Sequence, residues 1–326
     1  FDKEKDKLIE GLKIQEKSVP AVAARVQNVL AFGKSHPKGE FLSEETIKNV
    51  TLADVVNNYH TNFVPENAYL IIIGDVKFND TKKMVEKLFG SWSKATAPKL
   101  TYAEPKNVQY SQIDFVDMSN AVQSEIALIN TVDLKMTDKN YFAAIVANQI
   151  LGGGGEGRLF MNLREKHGWT YGAYSALGSG KYIAKFSSSA SVRNAVTDSA
   201  VVEFMNELKK IRTDLVSGDE LKNAKAKYIG NFVMQIEKPQ TVAGYALRIK
   251  PQGLPEDFYE KLADVTYQEK AAYEFALCKQ LQVTGFPAVL MQLSETKFYL
   301  LARGYTDYET LNERIKNCLA ENVIEE

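Results

Sequence analysis

A glycine-rich break between two apolar helices constrains this chain more than any other stretch. Residues Ile150-Leu151-Gly152-Gly153-Gly154-Gly155-Glu156-Gly157 close an apolar helix beginning near Tyr141. A second helix follows, with Leu159, Phe160 and Leu163 on its buried side and Arg164 near its end. Gly168 suits the left-handed residue that stops a helix. Beyond it, Trp169 to Ser175 reads as a strand rich in aromatic and small residues. Arg164 and Tyr171 therefore stand on opposite sides of a helix-to-strand turn, and both side chains can project from the same end of a sheet. Taken alone, a glycine-rich turn is usually only a turn. An Arg near a helix C-terminus often does no more than complement the dipole.

The wording of this stretch resembles the pitrilysin/insulinase family of zinc metallopeptidases and their inactive relatives. In that family an "ILGGG…SRLF…LREK.GL.Y…S" run lies in the domain facing the catalytic one. Leu159-Phe160 and Leu163-Arg164-Glu165-Lys166 match its frame. Arg164 and Tyr171, seven residues on, match in type and spacing the pair that helps hold substrate and the transition state. The resemblance thus implies catalytic roles for Arg164 and Tyr171, and substrate contacts at Gly152, Gly153, Gly154, Arg164 and Tyr171. A second stretch, Tyr59 to Val76, is similar to the "YH..Y.P.N..L.V.GD" ending of a family domain.

The resemblance covers roughly residues 1–266 and implies an α+β protein of pitrilysin-like α/β domains. Their sheets are expected to be dominantly antiparallel, with helices on one face. Residues 1–92 are expected to form the second half of one such domain, 93–106 a linker with Pro98 and Pro105, and 107–270 a second domain carrying Arg164 and Tyr171. Within this frame Asn67 to Asp75 is expected as a buried strand, Asp80 as a helix cap, and Gln109 to Met118 and Ser124 to Thr131 as further strands. Ser43 and Thr51 have N-cap chemistry. Residues 271–326 read differently. Phe275 to Leu290, with Gly285-Phe286-Pro287, resembles the close of a DsbA-type thioredoxin-fold protein, followed by a hairpin and a helix. The same helix–hairpin–helix order would also complete the second pitrilysin-like domain.

Activity in this family requires H-x-x-E-H on one helix: two histidines on one face bind zinc, and the Glu serves as base. The chain has three histidines, His36, His60 and His167, and no two have that spacing. His36 reads as a loop residue and His60 as packing at a helix end. A further metal-shell Glu would fall between Lys5 and Gln15, where the best register places Gly11 and the next best Glu10. No metal ligand is therefore assigned to this chain, and zinc is expected only on a catalytic partner domain or subunit. Ser187-Ser188-Ser189 lies on an expected strand without a His partner, which makes a poor nucleophile.

Composition narrows the rest. Among 326 residues, 45% are hydrophobic and 25% charged, with a formal net charge of −1, so no polyanion-binding surface is expected. No apolar run approaches a membrane span, and the charged opening Phe1 to Lys5 is expected to be helical rather than part of a signal peptide. The two cysteines, Cys278 and Cys318, form no C-x-x-C and leave the compartment open, periplasmic or cytoplasmic. The expected function is a peptide-binding wall opposite a zinc-bearing domain or subunit, with peptide as substrate. An inert structural or assembly subunit is the alternative. A thiol–disulfide oxidoreductase fragment, suggested by the tail alone, is the second.

Overall fold

Capping chemistry and helix-spaced apolar residues shape the first part of the chain. The computed structural model describes residues 1–99, 101–263, 288–292, 298–303 and 306–322. Helix α1 spans Asp2–Gln15, and α2, Val19–Phe32, opens with Pro20, whose fixed φ suits a first turn. Short α3 (Glu44–Asn49) and α4 (Leu52–Asn62) each start in a reciprocal capping box, Ser43 with Thr46 and Thr51 with Asp54. Helix α5 covers Phe78–Phe89, and its N-cap is Lys77 rather than Asp80. Asp80 instead sits in the first turn, where a carboxylate complements the dipole.

Two expected strands do not form. Tyr69, Leu70, Ile71, Ile72 and Ile73 have no strand assignment, and all five are exposed. Gln109 to Met118 likewise pairs with nothing among the described residues, leaving Ile113 91% and Phe115 84% exposed. The reason is physical: a strand needs a neighbour to satisfy its N–H and C=O groups, and no described strand pairs with either segment. Helices α4 and α5, on either side of the first segment, bury no residue.

The remaining strands do pair. β1 (Gln123–Val132), β2 (Thr170–Leu177) and β3 (Ala184–Arg193) form an antiparallel sheet in the order β1-β3-β2. Helix α6 (Tyr141–Gly152), α7 (Arg158–Phe160, continued by a π-helical turn, Met161–Lys166) and α8 (Thr197–Thr213) pack against it. Alternation along β3 sends Ser188, Ala190 and Val192 into a core shared with Ile126, Leu151, Leu159, Leu163, Ala173 and Phe204. Each fully buried large apolar side chain there contributes about 1.5–3 kcal/mol. Helices α9 (Gly218–Ile236), capped by Ser217, α10 (Pro239–Gln252) and α11 (Phe258–Ala263) follow. Leu254 closes a second cluster with Met136 and Tyr141.

In the tail, β4 (Ala288–Gln292) and β5 (Phe298–Arg303) form a hairpin, and α12 (Tyr308–Asn322) carries buried Cys318. Arg314 on α12 donates to the Leu301 carbonyl oxygen at 2.8 Å. Cys278 and the Gly285-Phe286-Pro287 turn, on which the thioredoxin-like reading rests, lie outside the described residues. Among the described residues no helix is long and apolar enough to cross a membrane.

One core position is frustrated. Ser188 is completely buried between Leu128 of β1 and Ser175 of β2, and its hydroxyl has no hydrogen-bond partner among the described residues. A buried, unsatisfied hydroxyl costs about 1–3 kcal/mol. Ser188→Ala should therefore raise unfolding free energy by about 1 kcal/mol in denaturant titration; a loss of stability would mean that the hydroxyl has a partner in solution.

Candidate functional site

The glycines set the geometry of the site by permitting close packing. A side chain at Gly152 would place Cβ 2.4 Å from the Ser175 backbone nitrogen, so the end of α6 lies directly on β2. A Cβ at Gly157 would stand 2.8 Å from the Gly152 Cα, which folds the loop onto itself. Gly154 takes φ +149°, open to glycine and rarely to other residues. Gly152 is buried and Gly153 and Gly154 are half-buried, so the first of the three expected substrate-contact glycines is enclosed in packing. Beside this loop a cleft of ≈ 460 Å³ is lined by Gln149, Glu156, Glu220 and Lys227 among others. Lys227 and Glu156 pair across it at 3.1 Å.

Leu159 and Leu163 are fully buried and Phe160 nearly so, as their spacing predicts. The helix then widens. His167 N–H bonds to the Asn162 carbonyl oxygen five residues back at 3.2 Å, a π-helical step of the kind often found at functional positions. Gly168, at φ +62°, ends the turn in the left-handed conformation, and its N–H bonds to the Arg164 carbonyl oxygen at 2.9 Å.

Arg164 emerges from this widened turn. Its guanidinium lies 4.7 Å from the Phe160 ring centre and 3.6 Å from a Glu165 carboxylate oxygen. Tyr171 is 88% exposed. It sits where β2 shifts register against β3, between Thr170 and Ala173, and such bulges re-aim side chains. Thr170 Oγ1 fixes the bulge by donating to the Ser191 carbonyl oxygen at 2.7 Å and accepting from Gly172 N–H at 3.2 Å. No hydrogen bond joins Arg164 to Tyr171, and both keep donors open to solvent.

Several neighbours were not read from the sequence. Half-exposed Tyr174 lies 5.8 Å from Phe160, ring centre to ring centre, and covers Gly172 so closely that a Cβ there would meet its ring at 2.6 Å. Below the turn, Arg158 makes a two-pronged ion pair with Glu220 of α9, both bonds 2.7 Å. That pairing holds the Glu220 carboxyl below the usual range and raises the Arg158 guanidinium. Asn162 donates to Glu203 at 2.7 Å and to buried Glu207 at 2.8 Å, and Glu207 also accepts from Lys210 at 2.9 Å. The Asn162 amide holds Glu203 below its ordinary value. These links tie the π-helical turn to α8. Asn162, a polar residue among apolar helix neighbours, was the one available signal for them.

The histidines do not assemble a metal centre. His36 is buried in its loop, exposed His60 meets Tyr59 edge-on, and His167 stacks on Trp169 at 4.0 Å. Glu10 is exposed on α1, and Gly11 offers no ligand. Among the described residues no group of three or more His, Cys, Asp or Glu could hold a metal ion. The side chains present do not fit a zinc site of the H-x-x-E-H kind.

Residues 49–228 match the model of the peptidase M16 inactive domain. The chain belongs to the peptidase M16 inactive-domain family. This agrees with the pitrilysin/insulinase resemblance and with an α+β fold built on an antiparallel sheet. A curated M16 relative, the probable inactive metalloprotease YmfF of Bacillus subtilis, is 23% identical over 240 residues, 72% of this chain and 54% of the relative. The chain thus spans about half the length of the curated relatives it matches. The M16 inactive domain from Pseudomonas fluorescens superposes with a TM-score of 0.70 at 21% identity, covering 80% of this chain and 62% of that one. The periplasmic protease PqqL of Escherichia coli gives a TM-score of 0.64 at 15% identity, over 97% of this chain and 31% of PqqL. The likeness to solved structures shows an M16 fold, and the family match assigns residues 49–228 to the inactive-domain type.

Packing constrains the glycine loop unevenly. Gly152→Ala should cost about 1–3 kcal/mol, because the new methyl group meets backbone that cannot yield. Gly155→Ala, whose Cβ would sit at an ordinary 3.7 Å from Phe160, should change stability by less than about 0.5 kcal/mol. Thermal unfolding of both variants checks this; equal tolerance would remove the packing role.

Proposed function

We propose that this M16 chain forms one wall of a peptide-holding chamber whose zinc-bearing wall belongs to another domain or subunit. Arg164 and Tyr171 donate hydrogen bonds to the substrate carbonyl oxygen as it gains negative charge. The observation that carries this reading is the pair itself. The π-helical turn and the β2 bulge both expose their donors, and neither is consumed by a strong internal bond. Glycine packing at Gly152 supports a fixed position for the pair, while Gly153 and Gly154, less enclosed, line the approach. Residues 1–92 act as half of a domain. Their exposed apolar run Tyr69 to Ile73 and the unburied faces of α4 and α5 are covered by the complementary half.

The same exposed surface also supports the alternative of an inert assembly subunit, and one experiment separates the two. The chain is co-expressed with an M16 half-domain carrying H-x-x-E-H, and cleavage of a quenched fluorescent peptide is measured. Arg164→Ala or Tyr171→Phe should lower kcat/KM by about 100-fold or more. Each should leave unfolding free energy within about 0.5 kcal/mol, as exposed substitutions do. Unchanged turnover in both variants, or a fall in melting temperature large enough to account for the loss, contradicts the assignment and favours the assembly role.

A further inference from the structure

Away from Arg164 and Tyr171, His36 is the most completely built polar position that no role yet explains. It lies in a loop yet is only 4% exposed. The loop folds back on itself: Gly39 and Glu40 N–H bond to the His36 carbonyl oxygen at 2.8 and 3.0 Å. The imidazole stacks on Phe32 of α2 at 5.2 Å and meets the edge of Tyr102 at 4.4 Å. Tyr102, in the segment before β1, in turn contacts Tyr182 of the β2–β3 hairpin at 5.9 Å. Lys38 donates to the Ile183 carbonyl oxygen of that hairpin, and Lys185 of β3 donates to Asn28 of α2 at 2.9 Å. One loop thus joins α2, the expected linker and the hairpin next to the sheet.

His36 Nδ1 accepts the Lys38 N–H at 3.0 Å. A neutral imidazole that accepts at Nδ1 carries its proton on Nε2. Adding a second proton turns Nδ1 into a donor that faces another donor, so this bond cannot survive protonation. The surroundings offer little compensation. The charged groups that act on it are Lys38 and Glu40 of its own loop, and Tyr102, whose ring it meets, in turn faces Glu104 and Tyr182. The end of α2 contributes the Phe32 ring, and Lys185 of β3 is bonded to Asn28 on the same helix. Burial and the Lys38 charge push the His36 pKa down, with Glu40 opposing more weakly.

We propose that His36 is a proton-operated latch. Neutral, it clamps its loop against Tyr102 and, through Tyr102 and Lys38, against the β2–β3 hairpin. Protonated, it lets go of both and loosens α2 from the sheet. The inference does not depend on the peptide-holding role. Its sign follows from linkage: for a base held low in the folded state, the stabilisation is complete above the ordinary value of about 6.5 and is lost as pH falls through the lowered folded value.

Histidine and tyrosine ring resonances, followed by NMR during acid titration of the full chain, test the latch. His36 should protonate below about 6.5, and the Tyr102 and Tyr182 resonances should shift in the same step while the chain stays folded. In His36→Asn, whose side-chain oxygen can accept the same N–H two residues on, the tyrosine shifts should vanish. The proposal is overturned if His36 titrates without any change at Tyr102 and Tyr182, if it titrates only as the whole chain unfolds, or if those shifts persist in the variant. Should His36→Asn fail to fold, the wild-type titration decides alone.

Discussion

The absence of room for a Cβ at Gly152 is the constraint on which the rest of the site depends. Because the end of α6 lies on the backbone of β2 at Ser175, the following loop has one path, and α7 starts where Leu159 and Leu163 drop into the core. From that fixed start the π-helical step decides where Arg164 emerges, and Gly168 decides where β2 begins. The bulge pinned by Thr170 then turns Tyr171 outward. Each step is local, and together they leave the Arg164 and Tyr171 donors exposed at the two ends of one helix-to-strand turn. The Arg158–Glu220 and Asn162–Glu203–Glu207 links hold the underside of the same turn, so its position is fixed by both apolar and polar contacts.

A second constraint acts on the other half of the chain. Five consecutive apolar residues, Tyr69 to Ile73, are a pattern suited to a strand covered on both faces, yet here they are exposed and unpaired. Helices α4 and α5, which flank them, have apolar faces and no buried residue. Apolar surface of this extent is a mark of an interaction site in a folded protein. In the proposed assembly the complementary half supplies the neighbouring strands and covers this surface.

The site was legible in the sequence where short-range chemistry decides it. Helix-spaced Leu159, Phe160 and Leu163, the terminating Gly168 and the caps at Ser43 and Thr51 all occupy the places their chemistry predicts. The strands at Asn67 to Asp75 and Gln109 to Met118 were misread because alternation and β-propensity describe a side chain's preference, whereas a strand exists only if another chain segment lies alongside. His36 is the loop residue its sequence context predicts, but its burial was not legible there, because it depends on Phe32 and on Tyr102, which lies far along the chain. The Arg158–Glu220 pair joins residues 62 positions apart, a separation that no local pattern encodes.

The central claim is that this chain is an M16 part completed by a zinc-bearing counterpart. Backbone amide hydrogen exchange across Tyr69 to Ile73, measured for the chain alone and in complex with an M16 half-domain carrying H-x-x-E-H, addresses it most directly. Exchange should be fast in the free chain and strongly slowed in the complex, as the unpaired N–H groups enter a ladder. A complex that forms while these amides continue to exchange freely, or protection already present in the free chain, would contradict it.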